Sequence, residues 1–272
     1  MSIVSTDWLN KNLTTVKIID SSWHMPNLNR NPLKEYQNQH IKNAIFFDID
    51  KNSDPNQSLP HMLTDKNRWE KIVSSLGISN DDKIVIYDNS EVISSCRCWY
   101  NFIYFGHNNK LVHVLNGGLK KWKSENKPTT DIILKVMPTK YIGSERKNLV
   151  KNINQINENI NSEEFKVIDA RSKGRFEGKE PEPRKELRSG SIPNSACLPF
   201  KELINEDHSF KNKDQISLKF KEILGSELPN NLVFSCGSGI TAAVLGLAYY
   251  MINDKYLPTI YDGSWAEYGK LK

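Results

Sequence analysis

Four short motifs occur twice in this chain, in the same order. Asp20 after Ile18-Ile19 is repeated by Asp169 after Val167-Ile168, His40-Ile41-Lys42-Asn43-Ala44 by Ser191-Ile192-Pro193-Asn194-Ser195, Tyr87-Asp88 by Ser235-Cys236, and Leu115-Asn116-Gly117-Gly118 by Tyr261-Asp262-Gly263-Ser264. The separations are 149, 151, 148 and 146 residues (Asp20 to Asp169, His40 to Ser191, Asp88 to Cys236, Asn116 to Asp262). So constant an offset implies tandem duplication, and therefore one fold used twice. The first copy shows what that fold is. Short apolar runs (Val16 to Asp20, Ala44 to Phe47, Lys83 to Asp88, Leu111 to Leu115) alternate with segments of helical spacing (Trp8 to Leu13, Pro32 to Gln39, Lys66 to Leu76, Cys96 to Phe105). Strand, turn and helix in alternation give an α/β domain with a parallel sheet and helices on both faces. Pro128, Thr129, Thr130, Pro138 and Gly143 break the periodicity between the copies. The expected division is an N-terminal domain 1–127, a linker 128–150 and a C-terminal domain 151–272.

Composition excludes several classes. The 272 residues carry a net charge of +5, with Lys and Arg scattered among Asp and Glu, so no basic block or aromatic-basic stripe marks a nucleic-acid surface. No run reaches the length of a membrane span, and Met1 to Trp8 has no secretory character, which makes a cytoplasmic location the expectation. Cys96, Cys98, Cys197 and Cys236 form no CxxC pair and no metal-ligand spacing, so free thiols and no metal or organic cofactor are expected.

The most reactive address is Cys236. It follows the β-rich run Asn231-Leu232-Val233-Phe234-Ser235 and precedes the helix-forming run Ala242 to Ile252, so it stands at a strand-to-helix turn. Gly237 and Gly239 allow a tight loop with several N–H groups pointing inward, and the helix adds the positive end of its dipole. These conditions favour a thiolate. The residues alone leave two readings, a small buried hydrophobe and a nucleophile. The duplicate position is Asp88, so whatever chemistry the thiol performs belongs to the second copy.

Cys236-Gly237-Ser238-Gly239-Ile240-Thr241 at such a turn, with Tyr261-Asp262-Gly263-Ser264-Trp265 downstream and the arrangement duplicated upstream, resembles the two-domain rhodanese-like sulfurtransferases. Asp20-Ser21-Ser22-Trp23-His24-Met25-Pro26, Phe46-Phe47-Asp48-Ile49-Asp50, Asn116-Gly117-Gly118-Leu119, Gly174-Arg175-Phe176 and Glu180-Pro181-Glu182-Pro183-Arg184 extend the similarity across the chain, most strongly to the 3-mercaptopyruvate branch. The resemblance implies two tandem rhodanese-like domains and transfer of sulfur from a 2-keto acid thiol through a persulfide on Cys236. The acceptor would be cyanide, a small thiol or a thioredoxin. It assigns the cradle for charged sulfur to the backbone of Gly237, Ser238, Gly239, Ile240 and Thr241, and substrate binding to Arg175 and Arg184. A planar guanidinium forks onto a carboxylate, which suits a keto acid. Ser238, His61 and Asp50 match a proposed relay for proton movement. Lone surface roles for the arginines, a loop role for His61 and a turn-capping role for Asp50 are the bland alternatives. Lys42, Ser191 and Asn116 depart from the family pattern at scaffold positions.

Three other functions compete. A cysteine phosphatase needs Cys, five residues and then Arg, but the sixth residue after Cys236 is Ala242. A thiosulfate sulfurtransferase would be expected to carry basic side chains in the loop, where this chain has Gly237 and Ser238. A non-catalytic sulfur-sensing module has no need of the cysteine and both arginines.

Overall fold

A computed structural model describes residues 2–270. Ten strands build two parallel sheets. In chain order they are β1 (Ile3–Val4), β2 (Lys17–Asp20), β3 (Ala44–Phe46), β4 (Ile84–Tyr87), β5 (Val112–Leu115), β6 (Val150–Lys151), β7 (Lys166–Asp169), β8 (Ala196–Cys197), β9 (Leu232–Ser235) and β10 (Thr259–Tyr261). The first sheet runs β1-β5-β4-β2-β3 and the second β6-β10-β9-β7-β8. Adding five to each strand of the first sheet gives the second, so the duplication inferred from four motifs extends to strand order. Register agrees as well. Asp20 pairs with Tyr87 and Asp169 with Ser235, which sets Asp88 and Cys236 at equivalent positions just past the central strand. The α/β class, with two tandem parallel sheets, is as expected.

The helices follow the same rule: α1 (Thr6–Lys11), α2 (Pro32–Asn38), α3 (Lys66–Ser75), α4 (Ser95–Tyr104) and α5 (Gly118–Ser124) in the first copy. In the second are α6 (Ile153–Ser162), α7 (Lys173–Phe176), α8 (Lys213–Leu224), α9 (Ile240–Ile252) and α10 (Ser264–Tyr268). Local chemistry starts several of them. Asn152 with Gln155 and Asn212 with Gln215 form reciprocal capping boxes at α6 and α8, while Ser5, Asn31 and Asp65 accept backbone N–H groups at α1, α2 and α3. The central strands β4 and β9 are buried throughout, as parallel strands covered on both faces must be. Helix α9 is buried from Ala242 to Met251, and its small residues Ala242, Ala243 and Gly246 let it lie close to the second sheet.

Two short features were invisible to periodicity. His40–Ile41 pairs antiparallel with Thr129–Thr130, inside the stretch read as linker, and Val150–Lys151 forms an edge strand. Strands of two residues contain no repeat of alternation to detect.

The chain divides into two compact units whose membership is not contiguous. One contains the residues through Pro55, Leu63–Arg146 and Glu206–Phe210; the other contains Asn56–Met62, Lys147–Asn205 and Lys211 onward. The loop 56–62 of the first copy thus belongs to the second unit, and the equivalent loop 206–210 of the second copy belongs to the first. No helix among the described residues is long and apolar enough to cross a membrane.

Candidate active site

Strand β9 delivers Cys236 to the start of a four-residue loop, and Gly239, at φ 82°, turns the chain into α9. A side chain at Gly239 would be strained in that conformation. Cys236 is 2% exposed, and the Gly239 N–H donates to its Sγ at 3.2 Å. An N–H aimed at sulfur stabilises negative charge there, and the start of α9 adds its dipole in the same direction. The loop is clamped from behind by the start of α10. Trp265 N–H donates to the Cys236 carbonyl and Ala266 N–H to the Gly237 carbonyl, each at 2.9 Å, while the Cys236 N–H donates to Ser264 Oγ at 3.3 Å.

The other thiols are held inert. Burial pushes Cys197 up to about 12 and raises Cys96 well above the ordinary thiol range. Burial raises Cys98 too. All four cysteines are free.

Ser238 is buried beside the cysteine, and its Oγ lies 2.9 Å from Nδ1 of His61. The hydroxyl can donate to a neutral Nδ1 or accept from Nδ1–H, so the pair can pass a proton either way. His61 is 5% exposed and adopts φ 62°, unusual for a residue with a Cβ. It reaches Ser238 because residues 56–62 belong to the second unit. Asp50 lies in the first unit, where its carboxylate accepts the Trp23 indole N–H at 3.1 Å.

Arg175, in α7, stands next to the loop. A Cβ built on Gly237 would lie 3.3 Å from its Nη2, so glycine leaves room for the guanidinium. Glu182 holds that guanidinium, accepting from Nη2 at 2.5 Å and from Nε at 3.1 and 3.2 Å. The same carboxylate accepts from Arg171 Nη1 at 2.6 Å, and Arg171 in turn forks onto Asp169 at the end of β7. Burial opposes the Arg171 charge, yet Asp169 and Glu182 more than offset it and hold the guanidinium more firmly protonated than usual. The Arg171 guanidinium also sits over the Trp265 ring, 4.0 Å from its centroid, which ties the network to α10. Arg184 follows in the same loop, half-buried, and among the described residues its guanidinium makes no hydrogen bond or ion pair.

The second unit therefore gathers Cys236, Gly237, Ser238, Gly239, Ile240, Thr241, His61 and Arg175 around one turn, with Arg184 in the loop after Glu182. Glu182 and Ser264 lie within the sequence motifs, which by themselves mark no role for either. The spacing Gly174-Arg175 to Glu182-Pro183-Arg184 is the sequence signal for the first, and the repeat position shared with Gly118 for the second.

The comparisons agree with this architecture. The rhodanese-like domain family matches residues 5–125. The chain is 38% identical to thiosulfate/3-mercaptopyruvate sulfurtransferase 1, mitochondrial, of Arabidopsis thaliana, over 98% of this chain and 75% of that protein. It is 34% identical to the 3-mercaptopyruvate sulfurtransferase of Mus musculus, over 98% of this chain and 91% of that protein. The crystal structure of SseA from Escherichia coli, described under the rhodanese fold and catalytic mechanism of 3-mercaptopyruvate sulfotransferases, superposes with a TM-score of 0.85 at 30% identity, covering 98% of this chain and 100% of that one. The chain belongs to the rhodanese-like thiosulfate/3-mercaptopyruvate sulfurtransferase family.

Proposed function

We propose that the protein takes sulfur from 3-mercaptopyruvate onto Cys236 and passes it to a small thiol, a thioredoxin or cyanide. The observation that carries this reading is the Cys236 sulfur, held under the Gly239 N–H in a loop without cationic side chains, with the Arg175 guanidinium against Gly237. A dianionic donor such as thiosulfate favours positive charge beside the sulfur; a keto acid favours a guanidinium placed to take its carboxylate.

The reaction balances without an external redox partner. The Cys236 thiolate attacks the donor sulfur, an S–S bond forms, and the donor C–S bond breaks with its electron pair leaving on carbon as the enolate of pyruvate. The proton of the donor thiol moves to that carbon and completes pyruvate, leaving a Cys236 persulfide. Ser238 and His61 are the groups suited to carry that proton, and Arg175 and Arg184 to hold the keto acid. An acceptor thiolate or cyanide then attacks the outer sulfur and restores the Cys236 thiolate.

Mass spectrometry of the intact chain after 3-mercaptopyruvate without acceptor is expected to show about 32 Da added, the mass of one sulfur, absent in Cys236→Ser. Initial rates with 3-mercaptopyruvate and with thiosulfate, using cyanide as acceptor, separate the two donors named for the Arabidopsis relative. Equal rates would overturn the choice of donor while leaving the persulfide intact.

A further inference from the structure

We infer that Ser264 is a positioning residue for the nucleophile: its hydroxyl fixes the Cys236 main chain so that the sulfur stays aligned for attack. The inference rests on the reading of Cys236 as the nucleophile.

Ser264 is fully buried and adopts φ 48°, a left-handed conformation that disfavours residues with a Cβ. Its counterpart in the first copy is Gly118, at φ 54°. There the glycine is required, because a Cβ would come within 2.5 Å of the Asp88 carbonyl oxygen. The second copy keeps the backbone twist and yet carries a side chain. The hydroxyl explains why the strain is tolerated. It donates to the Tyr261 carbonyl at 2.8 Å, which spends its proton and leaves the oxygen as an acceptor for the Cys236 N–H at 3.3 Å.

The carbonyl side of the clamp is shared by both copies. Leu119 N–H donates to Asp88 O at 2.9 Å, just as Trp265 N–H donates to Cys236 O at 2.9 Å. The N–H side is different. In the first copy the carboxylate of Asp88 accepts the N–H groups of Ser90 and Ser95, and the loop before α4 is longer. Only the copy with the cysteine has a hydroxyl at this point. Held at N–H and C=O together, the Cys236 backbone has little freedom to rotate, so Sγ keeps its place under the Gly239 N–H. Removing the hydroxyl leaves a buried donor without its acceptor and one side of the clamp open.

Two variants of the full chain test this, Ser264→Gly and Ser264→Ala. The first relieves the backbone strain and installs the residue the other copy uses; the second keeps the Cβ, and both delete the hydroxyl. Three readouts are needed: melting temperature, the rate at which iodoacetamide alkylates Cys236 at neutral pH, and kcat with KM for 3-mercaptopyruvate. In Ser264→Gly the melting temperature is expected to hold, while alkylation and kcat both fall about five- to twentyfold and KM changes less than about twofold. Ser264→Ala is expected to show the same kinetic loss with a lower melting temperature. Alkylation and kcat within about twofold of wild type in folded Ser264→Gly or Ser264→Ala would overturn the inference, as would a rise in KM alone. Alkylation needs no keto acid. A wild-type chain that alkylates at Cys236 but accepts no sulfur would refute the proposed reaction and still leave the positioning role to be read.

Discussion

Arg175 and Arg184 are nine residues apart and differ in how their charge is held. Arg175 is already forked onto Glu182, whereas the half-buried Arg184 guanidinium has its binding capacity uncommitted among the described residues. Arg184→Ala is therefore expected to lower kcat/KM for 3-mercaptopyruvate by roughly ten- to a hundredfold with little change in melting temperature, which steady-state kinetics and thermal denaturation can check together. For the proton path, His61→Ala and Ser238→Ala should each slow sulfur loading in single-turnover experiments, and the double variant should be little worse than either, since groups acting as one unit are not additive. Independent, multiplicative losses would refute a shared path. The first copy offers a prediction about pH. Burial raises Asp20 to about 6, against the help of its Ser22 hydrogen bonds, because position 22 supplies a hydroxyl where the second copy has Arg171. A carboxyl with a raised folded pKa favours folding below about pH 4 and loses that contribution as pH rises through 6. Asp20→Asn, which keeps an acceptor for Ser22, is expected to raise stability at neutral pH by roughly 1–3 kcal/mol and to do little at pH 4 in denaturant titrations. At this scale the sequence singled out Cys236, Ser238, His61 and both arginines as candidates for the proposed site, because motif types survive in one dimension. It did not disclose Glu182 as the brace of two arginines or Ser264 as a clamp, since both depend on backbone angles and on loops brought together by the sheet.

Among the elements, α9 follows the cysteine loop and is closely fitted against the chain around it. A Cβ at Gly246 would lie 2.8 Å from Pro258 Cβ and 3.6 Å from the Phe234 ring, so the helix meets the chain there without spare room. Gly246→Ala gains helix propensity of about 0.5–1 kcal/mol, but overpacking costs about 1–3 kcal/mol. A net fall in melting temperature of a few degrees is expected, measurable by calorimetry. Helices and central strands were legible because each spans at least one full period of its pattern and several carry capping residues. Ile3–Val4 and Val150–Lys151 were not, because two-residue edge strands are specified by the neighbours they pair with, Val114–Leu115 and Ile260–Tyr261.

For the molecule as a whole, the repeat announced the architecture, but contiguous boundaries could not show that one loop in each copy belongs with the other. His61 and His208 stand 147 residues apart, at φ 62° and 64°, in those two loops. His61 meets Ser238 in the second unit, and His208 lines a small cavity with Asp88, Gly117 and Gly118 in the first. A protease nick confined to residues 131–142 removes neither histidine from its place. The nicked protein is expected to co-elute as one species on gel filtration and to keep most of its sulfur loading, whereas separated fragments should lose it.

Heredity has to respect the same exchange. A recombination crossover placed at the joint between the copies would pass on Cys236, both arginines and Ser264 but leave the codon for His61 on the other parent. Chimeras between relatives therefore need a second crossover pair around residues 56–62, so that the histidine and the serine it meets are inherited together.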